Sequence, residues 1–457
     1  MNNGKVYLIG AGPGDPGLLT CKAKQLLTEC DVVCYDKLVG AAILSLVPNH
    51  VQMYEVGYLG YQGTHIDYGM HPDVMEFALA GKRVARLKSG DPCIFGRMTE
   101  ECRDLNRHGI AYEIIPGITA ALGAASYSGF PLTSGGIASS VTFVSGHKHL
   151  NTISSWGESG QAGGTLVLYM GAKKLADHVD KLIKNGRKPE TPIALISSAT
   201  RADHSCLIAT LETVIELMES HQLTGPTLTI VGDVVTQNRE FDWRSKQALS
   251  DTRFLICGEY HGARALQDEG AELISIVDLP TESLIDGEDL KFLSTQKGLS
   301  FSDRASFNIW KQALLDNQWD IRKFSMPMGS KKQLVREAMR QFGITPEMLP
   351  KNSIVLTLCE EFIFETSHQY YLVGRRKSDP IGYKLPTVNW ILVENIFVAK
   401  SIAAQQPDVF ENAVVVPLNK EVHSWAMNEG YLTKDSYLPE FFELPEQTVS
   451  RECPDVA

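Results

Sequence analysis

Two loops of glycine, proline and aspartate hold the residues best suited to gripping a small ligand through the backbone. The first, Gly10-Ala11-Gly12-Pro13-Gly14-Asp15-Pro16-Gly17, follows the apolar run Val6-Tyr7-Leu8-Ile9 directly. Its glycines permit left-handed backbone and close approach to a ligand, while Pro13 and Pro16 stiffen the turn before Leu18 opens a helix. The second, Ser89-Gly90-Asp91-Pro92-Cys93-Ile94-Phe95-Gly96-Arg97, follows the strand pattern Val84-Ala85-Arg86-Leu87 and repeats the Gly-Asp-Pro sequence. Gly12-Pro13-Gly14-Asp15-Pro16-Gly17 has the spacing of the dinucleotide fingerprint G-x-G-x-x-G, but its chemistry is wrong for a pyrophosphate. Prolines stand where helix-terminal amides should face the phosphate, and Asp15 adds a repelling charge. Four glycines and two prolines between residues 10 and 17 also exceed the needs of a plain strand-to-helix turn.

The elements that position these loops alternate regularly. Strands are expected at 5–10, 32–35, 52–55, 83–87, 112–115, 141–145, 165–170, 192–196 and 227–232, and helices at 18–28, 71–80, 97–108, 118–127, 172–184 and 211–220. This alternation predicts α/β units with largely parallel sheets. Residues 150–164 read as a surface loop, and 237–246 as a polar connector.

Further motifs follow in order: Tyr35-Asp36-Lys37-Leu38-Val39, Ile115-Pro116-Gly117-Ile118-Thr119-Ala120, Ala138-Ser139-Ser140-Val141-Thr142-Phe143, Leu168-Tyr169-Met170-Gly171 and Gly225-Pro226-Thr227-Leu228-Thr229-Ile230-Val231-Gly232. With the two loops, they resemble the tetrapyrrole methylases, and among these the uroporphyrinogen-III C-methyltransferases, over residues 4–236. The resemblance implies a two-lobed α/β fold, lobes 1–116 and 117–245, with the active site in the cleft and S-adenosylmethionine as methyl donor. It assigns donor contacts to Pro13, Ser89, Gly90, Asp91, Ile94, Thr119, Ala120, Met170 and Ala199. Asp36 matches the family's proton acceptor, and Arg97 and Glu100 match polar residues of the acceptor cleft. By residue type alone, Asp36 also fits a helix cap, Met170 core packing, and Arg97 a helix-face pair with Glu101.

Such a site has limited chemistry to perform. A sulfonium is already electrophilic, so alignment and exclusion of water carry most of the rate, with one acid/base group to move the proton that methylation makes labile. The eight carboxylates of uroporphyrinogen III call for cationic or amide partners. Here the sequence departs from the family pattern. Tyr58 replaces the lysine proposed as proton donor, Met98-Thr99 a Gly-Gly, Ser134-Gly135 a His-Arg, and Ser89 a glycine. The lost cations leave Lys37, Arg86, Lys88 and Arg97 as candidates to compensate.

Residues 246–457 are expected to form a separate α/β unit. They contain an imperfect repeat, Pro327 to Pro350 and Pro417 to Pro439, each copy preceded by a helical pattern, which suggests two similar lobes. With Phe254-Leu255-Ile256-Cys257 leading through Ala263-Arg264-Ala265-Leu266 to Gly270–Ile276, this half faintly resembles the uroporphyrinogen-III synthases. Its strand-end hydroxyls are eroded, with Phe301-Ser302-Asp303 and Val393-Glu394-Asn395 in their places. No donor motif lies beyond Gly232, so this half is expected to be dispensable for methyl transfer.

The composition, 44% hydrophobic and 21% charged, is that of a globular protein. The net charge of −11, mostly carried by the second half, disfavours nucleic acid as a partner. No apolar run approaches the ~20 residues of a membrane span, and nine cysteines without a C-x-x-C pair suit reduced thiols rather than a metal site. With its first strand beginning at residue 5, the chain is expected to lack a signal peptide and remain cytoplasmic. The resemblance further implies a homodimer. The expected reaction is methylation of uroporphyrinogen III at C2 and C7 to precorrin-2, for sirohaem or related tetrapyrroles. The alternatives are a methylase of another porphyrinoid, or a catalytically weakened tetrapyrrole carrier or regulator.

Overall fold

A computed structural model of the protein describes residues 4–57, 69–146, 163–221, 225–358, 369–377 and 381–434. By its internal contacts the chain divides into Met1–Ile276 with Gly382–Ala457, and Val277–Ile381.

The first sheet contains β1 (Lys5–Gly10), β2 (Val32–Tyr35), β3 (Gln52–Glu55), β4 (Arg83–Lys88) and β5 (Ala111–Ile115), in the order β3-β2-β4-β1-β5. All pairings are parallel, as the intervening helices require. Val6, Leu8, Val32, Cys34 and Val84 form the core beneath it with Val74 and Leu105 from the covering helices. The helix Cys21–Glu29 starts where Thr20 accepts a hydrogen bond from the Ala23 amide at 3.2 Å.

The second sheet holds β6 (Ser140–Ser145), β7 (Gly164–Tyr169), β8 (Pro192–Ser197), β9 (Ser205–Thr210) and β10 (Thr227–Val231), ordered β6-β7-β10-β8-β9. Of these first two sheets, this one alone departs from the expected parallel pairing: within it, only β6 and β7 are parallel. The link 198–204 is too short for a parallel crossover, so β9, absent from the sequence reading, returns antiparallel beside β8. The apolar strand β10 then inserts antiparallel between β7 and β8. Of the loop expected at 150–164, residues 150–162 lie outside the described residues.

The connector 237–246 is built of short helical turns rather than free chain. Its Trp243 indole donates to the Ser126 carbonyl at 2.8 Å, and Asn238 donates to that of Ser128 at 2.5 Å.

Beyond it, β11 (Arg253–Cys257), β12 (Glu272–Ile276), β18 (Trp390–Val393) and β19 (Val414–Pro417) form a parallel sheet, β12-β11-β18-β19. It belongs to the first unit. In the second unit, β13 (Thr281–Ser283), β14 (Leu299–Phe301), β15 (Met328–Gly329), β16 (Ile354–Leu358) and β17 (Gln369–Arg376) are ordered β13-β17-β16-β14-β15. The sequence repeat falls on equivalent pieces, β15 with the helix Gln333–Gln341 and β19 with the helix Lys420–Asn428, each an edge strand and the helix after it. Asp303 and Asn395, at the eroded strand ends, cap the helices Arg304–Asp316 and Ile396–Gln405.

Candidate functional site

The two glycine-rich loops pair with each other. Gly12 and Gly90 exchange backbone hydrogen bonds of 3.1 Å and 2.8 Å. Gly117 joins them: a Cβ there would lie 2.3 Å from the Gly90 carbonyl oxygen, so space alone demands glycine. Asp91 fastens the junction, accepting from the Gly117 amide at 2.9 Å and the Cys93 amide at 2.8 Å. Its carboxylate therefore holds the second loop to the Pro116-Gly117 hinge.

The small residues of the helix Ala120–Tyr127 let these loops approach. Pro13 packs on Gly123, where a Cβ would fall 2.5 Å from its ring. Thr119 precedes the helix without capping it, because its hydroxyl lies 2.7 Å from the Tyr169 hydroxyl, which also accepts from the Ala121 amide at 3.1 Å. The Tyr169 ring is 4.9 Å from that of Phe95. Ile94, Ala120 and Ala199 pack on the same apolar cluster as Tyr169. Pro13, Gly90, Asp91, Ile94, Thr119, Ala120 and Ala199 are thus brought together, and Ser89 and Met170 adjoin Gly90 and Tyr169 in the chain.

The backbone here is strained. Phe95 (φ 54°), Arg97 (57°), Met170 (57°), Ser198 (47°) and Thr200 (68°) all adopt left-handed angles without being glycine. Each costs about 1–3 kcal/mol and persists only where the surroundings fix it, a pattern concentrated at working sites. Met170 is 54% exposed, so core packing does not account for it.

Asp36 heads a buried ionic chain. It accepts from Arg86 at 2.6 Å, Arg86 lies 3.1 Å from Glu101, and Lys88 reaches the same Glu101 oxygen at 2.7 Å. The three partners are almost fully buried, whereas the Asp36 side chain is 29% exposed. Burial opposes the Arg86 charge, but Asp36 and Glu101 outweigh it and its pKa is raised. Burial and the neighbouring Arg86 charge lower the pKa of Lys88. Asp36 does not cap the next helix, whose N-cap is Gly40. Arg86 and Lys88 are also removed as candidates for holding acceptor carboxylates, since both are buried against carboxylates of this chain.

Arg97 is exposed and Glu100 half-buried, at the start of the helix Met98–Arg107. Tyr58 lies outside the described residues. Sequence reasoning missed the structural roles of Tyr169, Thr200 and Glu101. A signal existed for Glu101, because two cations within the apolar pattern of β4 need a buried carboxylate.

Paired glycine loops following β1 and β4 of a parallel sheet, joined by Gly117 on the way to the mixed sheet β6–β10, define an α/β protein built on two sheets over this region. The family model described as Tetrapyrrole (Corrin/Porphyrin) Methylases matches residues 5–215. The chain is 33% identical over 353 residues to uroporphyrinogen-III C-methyltransferase of Bacillus subtilis, a match covering 75% of this chain and 72% of that protein. It is 40% identical over 237 residues to the S-adenosyl-L-methionine-dependent uroporphyrinogen III methyltransferase of Methanosarcina barkeri, covering 51% of this chain and 93% of that one. It is 42% identical over 241 residues to the siroheme synthase of Acinetobacter baylyi, covering 52% of this chain and 53% of the relative. The chain belongs to the tetrapyrrole methylase family. It spans about half the length of the siroheme synthases it matches.

Proposed function

We propose that the protein transfers methyl groups from S-adenosylmethionine to C2 and C7 of uroporphyrinogen III, giving precorrin-2 for sirohaem or related tetrapyrroles. The observation that carries this reading is the convergence of Pro13, Gly90, Thr119-Ala120, Met170 and Ala199 around the paired loops. The residues fit a sulfonium nucleoside: small side chains leave room for it, and the Phe95 and Tyr169 rings suit a cation. The names of the Bacillus and Methanosarcina relatives support the same donor and acceptor.

Bound S-adenosylmethionine supplies an electrophilic methyl group. The loops and the Thr119–Tyr169 contact fix the donor side, and Asp91 keeps the hinge aligned with it. Asp36, partly exposed and oriented by Arg86, takes the proton lost from the macrocycle. Arg97 and Glu100 line the acceptor side.

Incubating the full chain with methyl-labelled S-adenosylmethionine and freshly prepared uroporphyrinogen III tests this. Label should enter the macrocycle, and an unlabelled macrocycle overturns the reading. A different porphyrinoid is the second reading, favoured by the burial of Arg86 and Lys88 against Asp36 and Glu101. Label transfer to a less carboxylated porphyrinogen in preference to uroporphyrinogen III would select it.

A further inference from the structure

The loop Ser198–His204 carries the Ala199 donor position and leans on residues from the second half of the chain. Ser198 and Thr200 are both buried and left-handed, so the loop needs outside support. On one side it meets the methylase elements. Thr200 Oγ1 accepts from the Asp15 amide at 3.0 Å, and Arg201 donates to the Leu38 carbonyl, two residues beyond Asp36, at 2.6 Å. On the other side Glu272, the first residue of β12, accepts from the Ala202 amide at 2.7 Å. Arg253, the first residue of β11, donates to Asp203 at 2.6 Å and to Glu272 at 2.9 Å. Both side chains are less than a tenth exposed.

We infer that Glu272 and Arg253 are positioning residues for the donor site, a role resting on the methyl-donor reading above. The second half then sets the conformation of a donor loop, and the expectation that it is dispensable is replaced. The coupling is local: a buried ion pair that loses one member leaves the other charge uncompensated, so the pair holds its partners in one arrangement.

The test uses the full chain, S-adenosylhomocysteine calorimetry and steady-state methylation. Glu272→Ala should weaken S-adenosylhomocysteine binding about tenfold and raise the donor KM, with the acceptor KM unchanged. Glu272→Gln still offers an oxygen to the Ala202 amide and should recover most of that loss. Val416→Ala, in the core of the same sheet, should lower thermal stability without changing donor affinity. Should Glu272→Ala not fold, Asp203→Asn carries the measurement from the exposed end of the network, with about a threefold loss expected. Wild-type donor affinity in Glu272→Ala, or an equal loss in Val416→Ala, overturns the inference. A wild-type chain that binds no S-adenosylhomocysteine instead overturns the donor-site reading itself.

Discussion

Asp36 is oriented by Arg86, whose guanidinium is 2.6 Å away and almost fully buried. Replacing Asp36 with Asn keeps the shape and removes the base, so turnover should fall about 10²-fold with donor affinity little changed. Label transfer at the wild-type rate would show that Asp36 only anchors Arg86. His204 gives a pH-dependent prediction. Its Nδ1 accepts from the Thr200 amide at 3.4 Å, its Nε2 lies 3.3 Å from the Ser128 hydroxyl, and burial together with Arg244 lowers its pKa to about 4. The folded protein therefore favours neutral imidazole, while the unfolded chain takes up a proton near pH 6.5. The resulting stability is fully present above that value and is lost as pH falls from about 6.5 to 4, by on the order of 3 kcal/mol. Denaturation midpoints of the wild type and His204→Asn should converge as the pH is lowered through this window, and parallel pH profiles would refute the assignment.

At the scale of elements, the hydroxyl of Tyr169 joins the end of β7 to the helix Ala120–Tyr127. Tyr169→Phe leaves the buried Thr119 hydroxyl and Ala121 amide short of a partner, which should cost about 1–3 kcal/mol in chemical denaturation. Calorimetry should also show weaker S-adenosylhomocysteine binding, because Thr119 and Met170 flank this contact. Unchanged affinity would mean that the strand and helix hold their places without it. Much of this geometry was legible in the sequence, because strands such as Val6–Ile9 and turns such as Gly10–Gly17 declare themselves through local residue types. The two glycine loops and the order of the first-lobe elements followed from that, whereas the Gly12–Gly90 pairing of the loops did not. Strand β9 was not legible: Cys206-Leu207-Ile208 is a half-exposed hairpin return whose place depends on the length of a link, not on periodicity. Nor could local patterning join Glu101 to Arg86 or Glu272 to Ala202, since those contacts depend on which elements become neighbours in space.

Over the whole molecule, the boundary of the methylase-like sequence is not the boundary of its support. The second half enters the first unit with β11, β12, β18 and β19, whereas among the described residues β13 to β17 form a sheet of their own in Val277–Ile381. Removing everything after Ser245 strips the Ala202 amide of Glu272, Arg244 of the Ser250 carbonyl and the Tyr35 hydroxyl of the Gly382 carbonyl. Water can replace each lost partner, so each hydrogen bond costs about 0.5–1.5 kcal/mol net, and together the losses take a sizeable share of a domain's stability. Replacing Val277–Ile381 with a flexible glycine-serine linker removes none of these contacts. That excision variant should bind S-adenosylhomocysteine within about twofold of the full chain, whereas the fragment ending at Ser245 should be poorly soluble or bind more weakly by about tenfold or more. Calorimetry on both decides the matter. Full donor affinity in the short fragment would restore the second half to the status of a passenger, and loss of affinity on excision would show that Val277–Ile381 also supports the donor site.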